Sequence, residues 1–332
     1  MIDVKSLKDG DSVEGAFAVR SVDGVGEGLR DYSKKTGRFF VLRVGNSGGD
    51  ISLKYWGGKN PDAVSALFSS LAVGDVISVK GRCTNDSYSK ELVISVNEEV
   101  RYGSPEEYVK KAEPGEFDAS DFLPTLPEDV IDRLKAELTE FIQSISKPDL
   151  KNLVSSFFDD EAFRKSFEKS PAARQNHHNY LGGLLEHSVN VAKLCDAICG
   201  FYKLDRDLLI TGALLHDSGK TREYNAGASI DITEEGRLIG HIQIAAERVS
   251  RNAGAIEGFP EGLRNKIIHM ILSHHGELEY GSPKLPAFPE AIALFHADYM
   301  DSSVKNTLQE IENRDGEDWI YSKILRRHLT TK

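Results

Sequence analysis

Two hydrophobic rhythms divide this chain of 332 residues. Through residues 1–101 apolar positions fall in short alternating runs separated by glycine-rich turns, which predicts strands over Ser12 to Val22, Arg38 to Val44, Ile51 to Trp56, Val76 to Arg82 and Leu92 to Val96. Five short strands in one small domain suit an all-β barrel of the OB-fold type. From residue 125 onward the period lengthens to that of a helix. A capping-box pattern at Thr125 and Glu128 opens a helix with Val130, Ile131, Leu134, Leu138 and Ile142 on one side, and Leu150 to Phe167 repeats the habit. Further helices are predicted over Tyr180 to Ile198, Asp207 to Leu215, Ile242 to Val249, Glu261 to Ser273 and Ala291 to Asp301, with a small hairpin pairing Ser229 to Ile232 with Arg237 to Ile239. The expectation is a two-domain protein, with an N-terminal all-β barrel over 1–101, a linker over 102–124 containing Pro105, Pro114 and Pro124, and an all-α domain over 125–332.

Chemistry gathers in the helical part. All ten histidines lie between His177 and His328. His187 sits on the apolar stripe of its helix, His216-Asp217 closes a nearly all-apolar run, and His241 begins a helix. His274-His275 ends another before Gly276, and Asp298 follows Leu294 by one turn. A single histidine on an apolar face is an ordinary core residue. A carboxylate there is costly unless it is paired, and the whole ordered set reads most economically as one inward-facing metal site.

Leu184-Leu185-Glu186-His187, His216-Asp217-Ser218-Gly219-Lys220, Gly240-His241, His274-His275-Gly276 and His296-Ala297-Asp298 resemble the HD-domain metal-dependent phosphohydrolases. Asn176-His177-His178-Asn179-Tyr180, running into Gly182-Gly183-Leu184, is similar to the YhaM-type 3′-to-5′ exoribonucleases within them. The resemblance implies that His187, His216, Asp217 and Asp298 hold a first metal and that His241 with His274, His275 or both holds a second, Asp217 bridging. Two divalent ions are then expected, manganese first, with cobalt, nickel, iron or zinc as alternatives, since an imidazole and carboxylate shell disfavours magnesium. Asp217 and Lys220 would carry catalysis, Lys220 at a phosphate oxygen. Arg222, His177 and His178 would meet the substrate, the two histidines lining its entrance or donating a proton to the leaving oxygen, with a plain helix-capping loop as the alternative. The implied activity is hydrolysis of single-stranded RNA, extending to single-stranded DNA, from the 3′ end to nucleoside 5′-monophosphates. Assembly into a homo-oligomer is implied as well. The competing enzyme reading is a phosphohydrolase of a free nucleotide or cyclic dinucleotide with a regulatory barrel. A nucleotide sensor with a degenerate pocket is a third reading, and the filled ligand positions argue against it.

Alternation in the barrel places Phe39, Arg43, Lys54 and Trp56 on one face, a mixture suited to stacking on single-stranded bases and following phosphates. Charge tempers that expectation. The chain carries a net −11, and residues 1–101 balance 14 Lys and Arg against 14 Asp and Glu, so the barrel is not a basic electrostatic binder. No apolar run is long enough to span a membrane and no signal peptide opens the sequence, so a cytoplasmic protein is expected. Three cysteines, Cys83, Cys195 and Cys199, make no disulfide framework.

Overall fold

The computed structural model describes residues 2–58, 60–97, 108–113, 117–174, 178–312, 318–322 and 325–332. The chain divides into two compact units, Met1–Pro124 with Ala226–Ser229, and Thr125–Asn225 with Ile230–Lys332.

The first unit is built on strands β1 (Ser12–Ser21), β2 (Gly28–Asp31), β3 (Arg38–Asn46) and β4 (Gly49–Trp56), a helix α1 (Pro61–Ser70), and strands β5 (Val76–Asn85), β6 (Leu92–Asn97) and β7 (Val109–Lys111). Strands β1, β3, β4, β6 and β5 pair in that order, and β5 pairs with β1 again, closing a five-stranded OB-like barrel. Antiparallel ladders make every joint except β4 against β6, which is parallel. All five expected strands are present. Their inward side chains, among them Phe17, Phe40, Leu42, Leu53, Ile77 and Ile94, fill the interior with no exposure. The flanking pieces β2 and α1 had no strong periodic signal. Within the stretch expected to be a linker, β7 pairs with β5, where Val109 joins the barrel core.

The second unit holds α2 (Glu128–Ser144), α3 (Pro148–Phe158), α4 (Glu161–Lys169), α5 (Gly183–Cys199), α6 (Arg206–Leu215), a one-turn α7 (Lys220–Glu223), strands β8 (Tyr224–Ala226) and β9 (Ile230–Ile232), α8 (Glu234–Leu238), α9 (His241–Ala255), α10 (Glu261–Ser273), α11 (Pro289–Glu312) and a hairpin of β10 (Trp319–Ser322) and β11 (Arg327–Thr330). Three local expectations change. Pro127, not Thr125, stands at the N-cap of α2 and no side chain caps it, so the capping box does not form. Leu150 to Phe167 breaks into α3 and α4 because Asp160 accepts backbone N–H bonds from Ala162 and Phe163 and starts a new helix. Ile230–Ile232 pairs with the preceding residues Tyr224–Ala226, while Arg237 and Leu238, expected as the second strand, lie in α8, which Thr233 caps.

Helix α6 is central to this unit, buried from Asp207 to Leu215. Its first turn is fastened by Asp207, whose Oδ2 accepts bonds from Ser146 N at 2.9 Å, Ser146 Oγ at 2.7 Å and Lys147 N at 2.8 Å. Burial works against the Asp207 charge, yet these donors hold its carboxyl below the ordinary value. Asp207→Ala should cost about 2 kcal/mol, because buried donors lose a charged acceptor. The contribution is present above the unfolded carboxylate value of about 4 and fades as pH falls through the lower folded value. Urea unfolding of both proteins at pH 7 and pH 3 checks the cost and its decline.

Candidate metal centre

Helix α5 buries Leu184, Leu185, Val189, Val191 and Ala192, and His187 shares that side at 1% exposure. Because α6 is buried along its length, the residues leaving its C-terminal end, His216 and Asp217, are buried as well. Gly219 lets the next turn lie against the start of α9: a Cβ there would collide with the His241 carbonyl. His241 opens α9 and His274 caps the end of α10. Gly276, at φ +80°, turns the chain away beneath the Phe295 ring, where a side chain has no room. Helix α11 contributes Asp298 and, one turn on, Asp301.

These elements converge on Asp217. Its Oδ2 lies 3.4 Å from the Nε2 atoms of both His187 and His216, and its Oδ1 lies 3.6 Å from His241 Nε2 and 3.5 Å from His274 Nε2. On the Oδ2 side, His187 Nε2 stands 3.2 Å from His216 Nε2 and 3.1 Å from Asp298 Oδ1. Candidate ligand atoms of His187, His216 and Asp298 all fall within 4.8 Å of one another, as do those of His241, His274 and His275. One carboxylate thus separates two clusters.

The other ring nitrogens are already committed. Nδ1 donates to Asp301 Oδ2 from His187 at 2.7 Å, to the Ala213 carbonyl from His216 at 2.9 Å, to the Ile271 carbonyl from His274 at 2.7 Å and to the Tyr280 carbonyl from His275 at 2.9 Å. His241 Nδ1 lies 2.9 Å from Glu223 Oε2. With the proton on Nδ1, each Nε2 presents a lone pair, and such acceptors anchor the imidazole ligands of metals. Three buried atoms facing one another, Asp217 Oδ1, His241 Nε2 and His274 Nε2, have no hydrogen-bond partner. Buried polar atoms seldom go unsatisfied, and a cation fits this donor set.

The buried carboxylates and imidazoles also act on one another electrostatically. Burial opposes the Asp217 charge, but Lys220 and the His216 and His187 rings hold its carboxyl well below the ordinary value. Asp298 and Asp301 are also lowered despite burial, Asp298 chiefly by His187 and Asp301 by His178 and His187. Burial would lower the His187 imidazole, yet Asp217, Asp298 and Asp301 raise it. Burial and the neighbouring His274 and His241 push His275 down to about 3, leaving it a neutral lone-pair donor.

Other expected residues are placed differently. Lys220 is buried and donates to Asp217 Oδ2 at 2.6 Å, beside a cavity of about 230 Å³ shared with Asp217, His241, His275 and Asp298. Arg222 turns to Glu235 at 2.5 Å. His178 has no exposure and so does not line an entrance. Its ring bonds Tyr180 and Glu186 through Nδ1 and Asp301 at 2.9 Å through Nε2, so it braces the carboxylate behind His187. His177 lies outside the described residues. The sequence reading missed Asp301 and Glu223; the i+3 spacing of Asp301 from Asp298 was the available signal for the first.

In the barrel unit, Phe39 and Trp56 form a cross-strand pair with ring centroids 5.1 Å apart, both half-buried. Tyr32, not anticipated, extends the stack at 5.2 Å from Phe39 and 6.2 Å from Trp56, with Lys35 Nζ 4.4 Å above its ring. The basic partners are engaged within the unit. Lys54 pairs with Asp86 at 2.9 Å, and Arg43 bonds Ser52 Oγ and the Asp50 carbonyl. Three stacked rings, more than a basic stripe, characterise this face.

An HD domain family model matches residues 184–303, and a helicase family model named TraI_2 matches 119–221. The chain is 32% identical over 269 residues to the 3′-5′ exoribonuclease YhaM of Bacillus licheniformis, covering 80% of this chain and 79% of that protein. Identity to the protein of the same name from Bacillus subtilis is 33% over the same shares. The Shouchella clausii protein of that name is 29% identical over 308 residues, 91% of this chain and 86% of that one.

The Asp301 brace gives a direct expectation. Asp301→Asn should weaken the binding of a divalent ion at this centre by about 10- to 100-fold, as loss of an outer carboxylate on a ligating imidazole does. Calorimetric titration with manganese chloride measures it, and an unchanged affinity would remove Asp301 from the site's support.

Proposed function

This chain belongs to the YhaM family of 3′-5′ exoribonucleases, and from that premise we propose how its residues divide the work of removing nucleotides from the 3′ end of single-stranded RNA. One observation carries the assignment: Asp217 turns one oxygen to His187 and His216 and the other to His241 and His274. His187, His216, Asp217 and Asp298 would hold one divalent ion, and His241, His274 and His275 a second, with Asp217 bridging.

When bound, the pair of ions lowers the pKa of water and screens charge developing on the phosphate. Manganese is the first candidate, with cobalt, nickel, iron and zinc also compatible with an imidazole and carboxylate shell. The protein's share is positional. Asp301, Glu223 and three backbone carbonyls fix the rings so that every Nε2 points inward. Lys220 keeps Asp217 ionised and adds positive charge at the cavity where a scissile phosphate would sit. Water forms the new bond to phosphorus, the bond to the 3′-oxygen of the preceding nucleotide breaks, and that oxygen leaves with a proton. The product is a nucleoside 5′-monophosphate. Nothing in this chemistry needs a 2′-hydroxyl, so single-stranded DNA is included as a substrate.

In the barrel, Tyr32, Phe39 and Trp56 would stack on unpaired bases, a mode that tolerates a nearly neutral domain. The three cysteines are free thiols, which suits work in the cytoplasm, and no helix among the described residues is long and apolar enough to cross a membrane. Self-association, with exposed Phe201, Tyr202 and Ile292 as apolar surface, belongs to the same proposal.

Two measurements check it. With 5′-labelled single-stranded RNA, the wild type should give a manganese-dependent ladder shortening from the 3′ end, and Asp217→Ala should abolish it; an intact label with wild type and bound metal would redirect attention to free and cyclic nucleotides. Trp56→Ala should weaken affinity for a long oligonucleotide roughly tenfold or more, read by fluorescence anisotropy.

A further inference from the structure

A second cavity, of about 560 Å³, adjoins the metal cluster and shares His275, Asp298 and Ser302 with the smaller one. Its lining differs in kind. Tyr280 and Tyr299 flank it, 57% and 42% exposed. At its rim stand Arg326 and Arg327, both exposed, and among the described residues neither pairs with a carboxylate. Besides Asp298, the described residues of the lining include one carboxylate, Glu279.

The arginines are held in place. Arg326, at φ +51°, lies just before β11, and Arg327 is the first residue of that strand, paired with Ser322 of β10. Ser322, with no exposure, donates to Glu310 of α11 at 2.7 Å and accepts from Leu325 N at 3.0 Å, while Arg327 Nε donates to the Leu325 carbonyl at 3.1 Å. Two guanidinium groups on an anchored turn next to aromatic faces match a phosphate followed by a base.

Strand polarity then selects the occupant. A nucleotide on the 3′ side of the scissile bond ends in a hydroxyl and offers no further phosphate. The nucleotide on the 5′ side carries its own 5′-phosphate, one unit away from the reacting one. We propose that this cavity seats the nucleotide on the 5′ side of the scissile phosphodiester, with its base against Tyr280 and Tyr299 and its 5′-phosphate held by Arg326 and Arg327. The assignment rests on the exoribonuclease activity proposed above and adds the recognition of a second phosphate to it.

The test compares two dinucleotides as substrates of the full chain with manganese, one bearing a 5′-phosphate and one a 5′-hydroxyl. Wild type should favour the phosphorylated one by about tenfold in kcat/KM, mostly through KM, as a charge-assisted contact allows. In the double variant Arg326→Ala, Arg327→Ala the ratio should fall toward one, and Arg326→Lys, Arg327→Lys should restore part of it. Both positions are exposed, and the ratio within one protein is insensitive to how much of it is active. A wild type that digests RNA but shows no preference, or a variant that keeps it, overturns the cavity assignment alone. A wild type inert toward RNA and both dinucleotides overturns the nuclease activity, and this assignment with it.

Discussion

A carboxylate at 2% exposure stays ionised only if positive charge or hydrogen-bond donors surround it, and Asp217 imposes that condition on the helical unit. The compensation comes from Lys220 three residues on, from the adjacent His216 and from imidazoles on three other segments. Each of those imidazoles is in turn fixed through its far nitrogen, so the demand spreads outward to Asp301, Glu223 and the ends of α6 and α10. Even the glycines obey it, since Gly219 exists where α9 must come close enough to bring His241 to Asp217. The core packing of α5 and α6 sets where this charge sits, and the charge sets which residues those helices may end on.

Much of the centre was legible because each ligand candidate interrupts a hydrophobic rhythm. A histidine on the apolar stripe of α5 and a His-Asp pair closing α6 are visible as anomalies without any structure. Support residues produce no such anomaly. Asp301 stands in a stretch of α11 that includes exposed Tyr299, Met300 and Val304, so it blends with a solvent-facing surface, and its partner His187 lies 114 positions earlier. His178 was misread for a related reason: its loop is polar, yet a left-handed backbone at φ +55° and the packing of Gly183 against it bury the ring completely. Lys220 shows the limit of local spacing. Three residues after Asp217 it can reach either a substrate or the carboxylate, and the one-turn helix α7 folds it onto the carboxylate.

In the barrel, alternation found the five closing strands because their inward residues are uniformly apolar. Strands β2 and β7 escaped it, being four and three residues long, too short for a period of two to declare itself. The outward face was found only in part. Phe39 and Trp56 pair as alternation requires, but Tyr32 reaches them from beyond the end of β2, and the salt bridge from Lys54 to Asp86 joins residues that no pattern links.

Those two short strands have a significance of their own. A sheet ends wherever a strand has an unpaired side, and long flat margins invite pairing with another chain. Here the principal ring closes on itself through β1 and β5, and what remains at its margins among the described residues is β2, starting at Gly28, and β7, which carries Lys110 and Lys111. So little ladder is left unpaired among the described residues that this barrel offers scant template for a strand of protein, and crowded copies of it have few means of growing into a shared sheet.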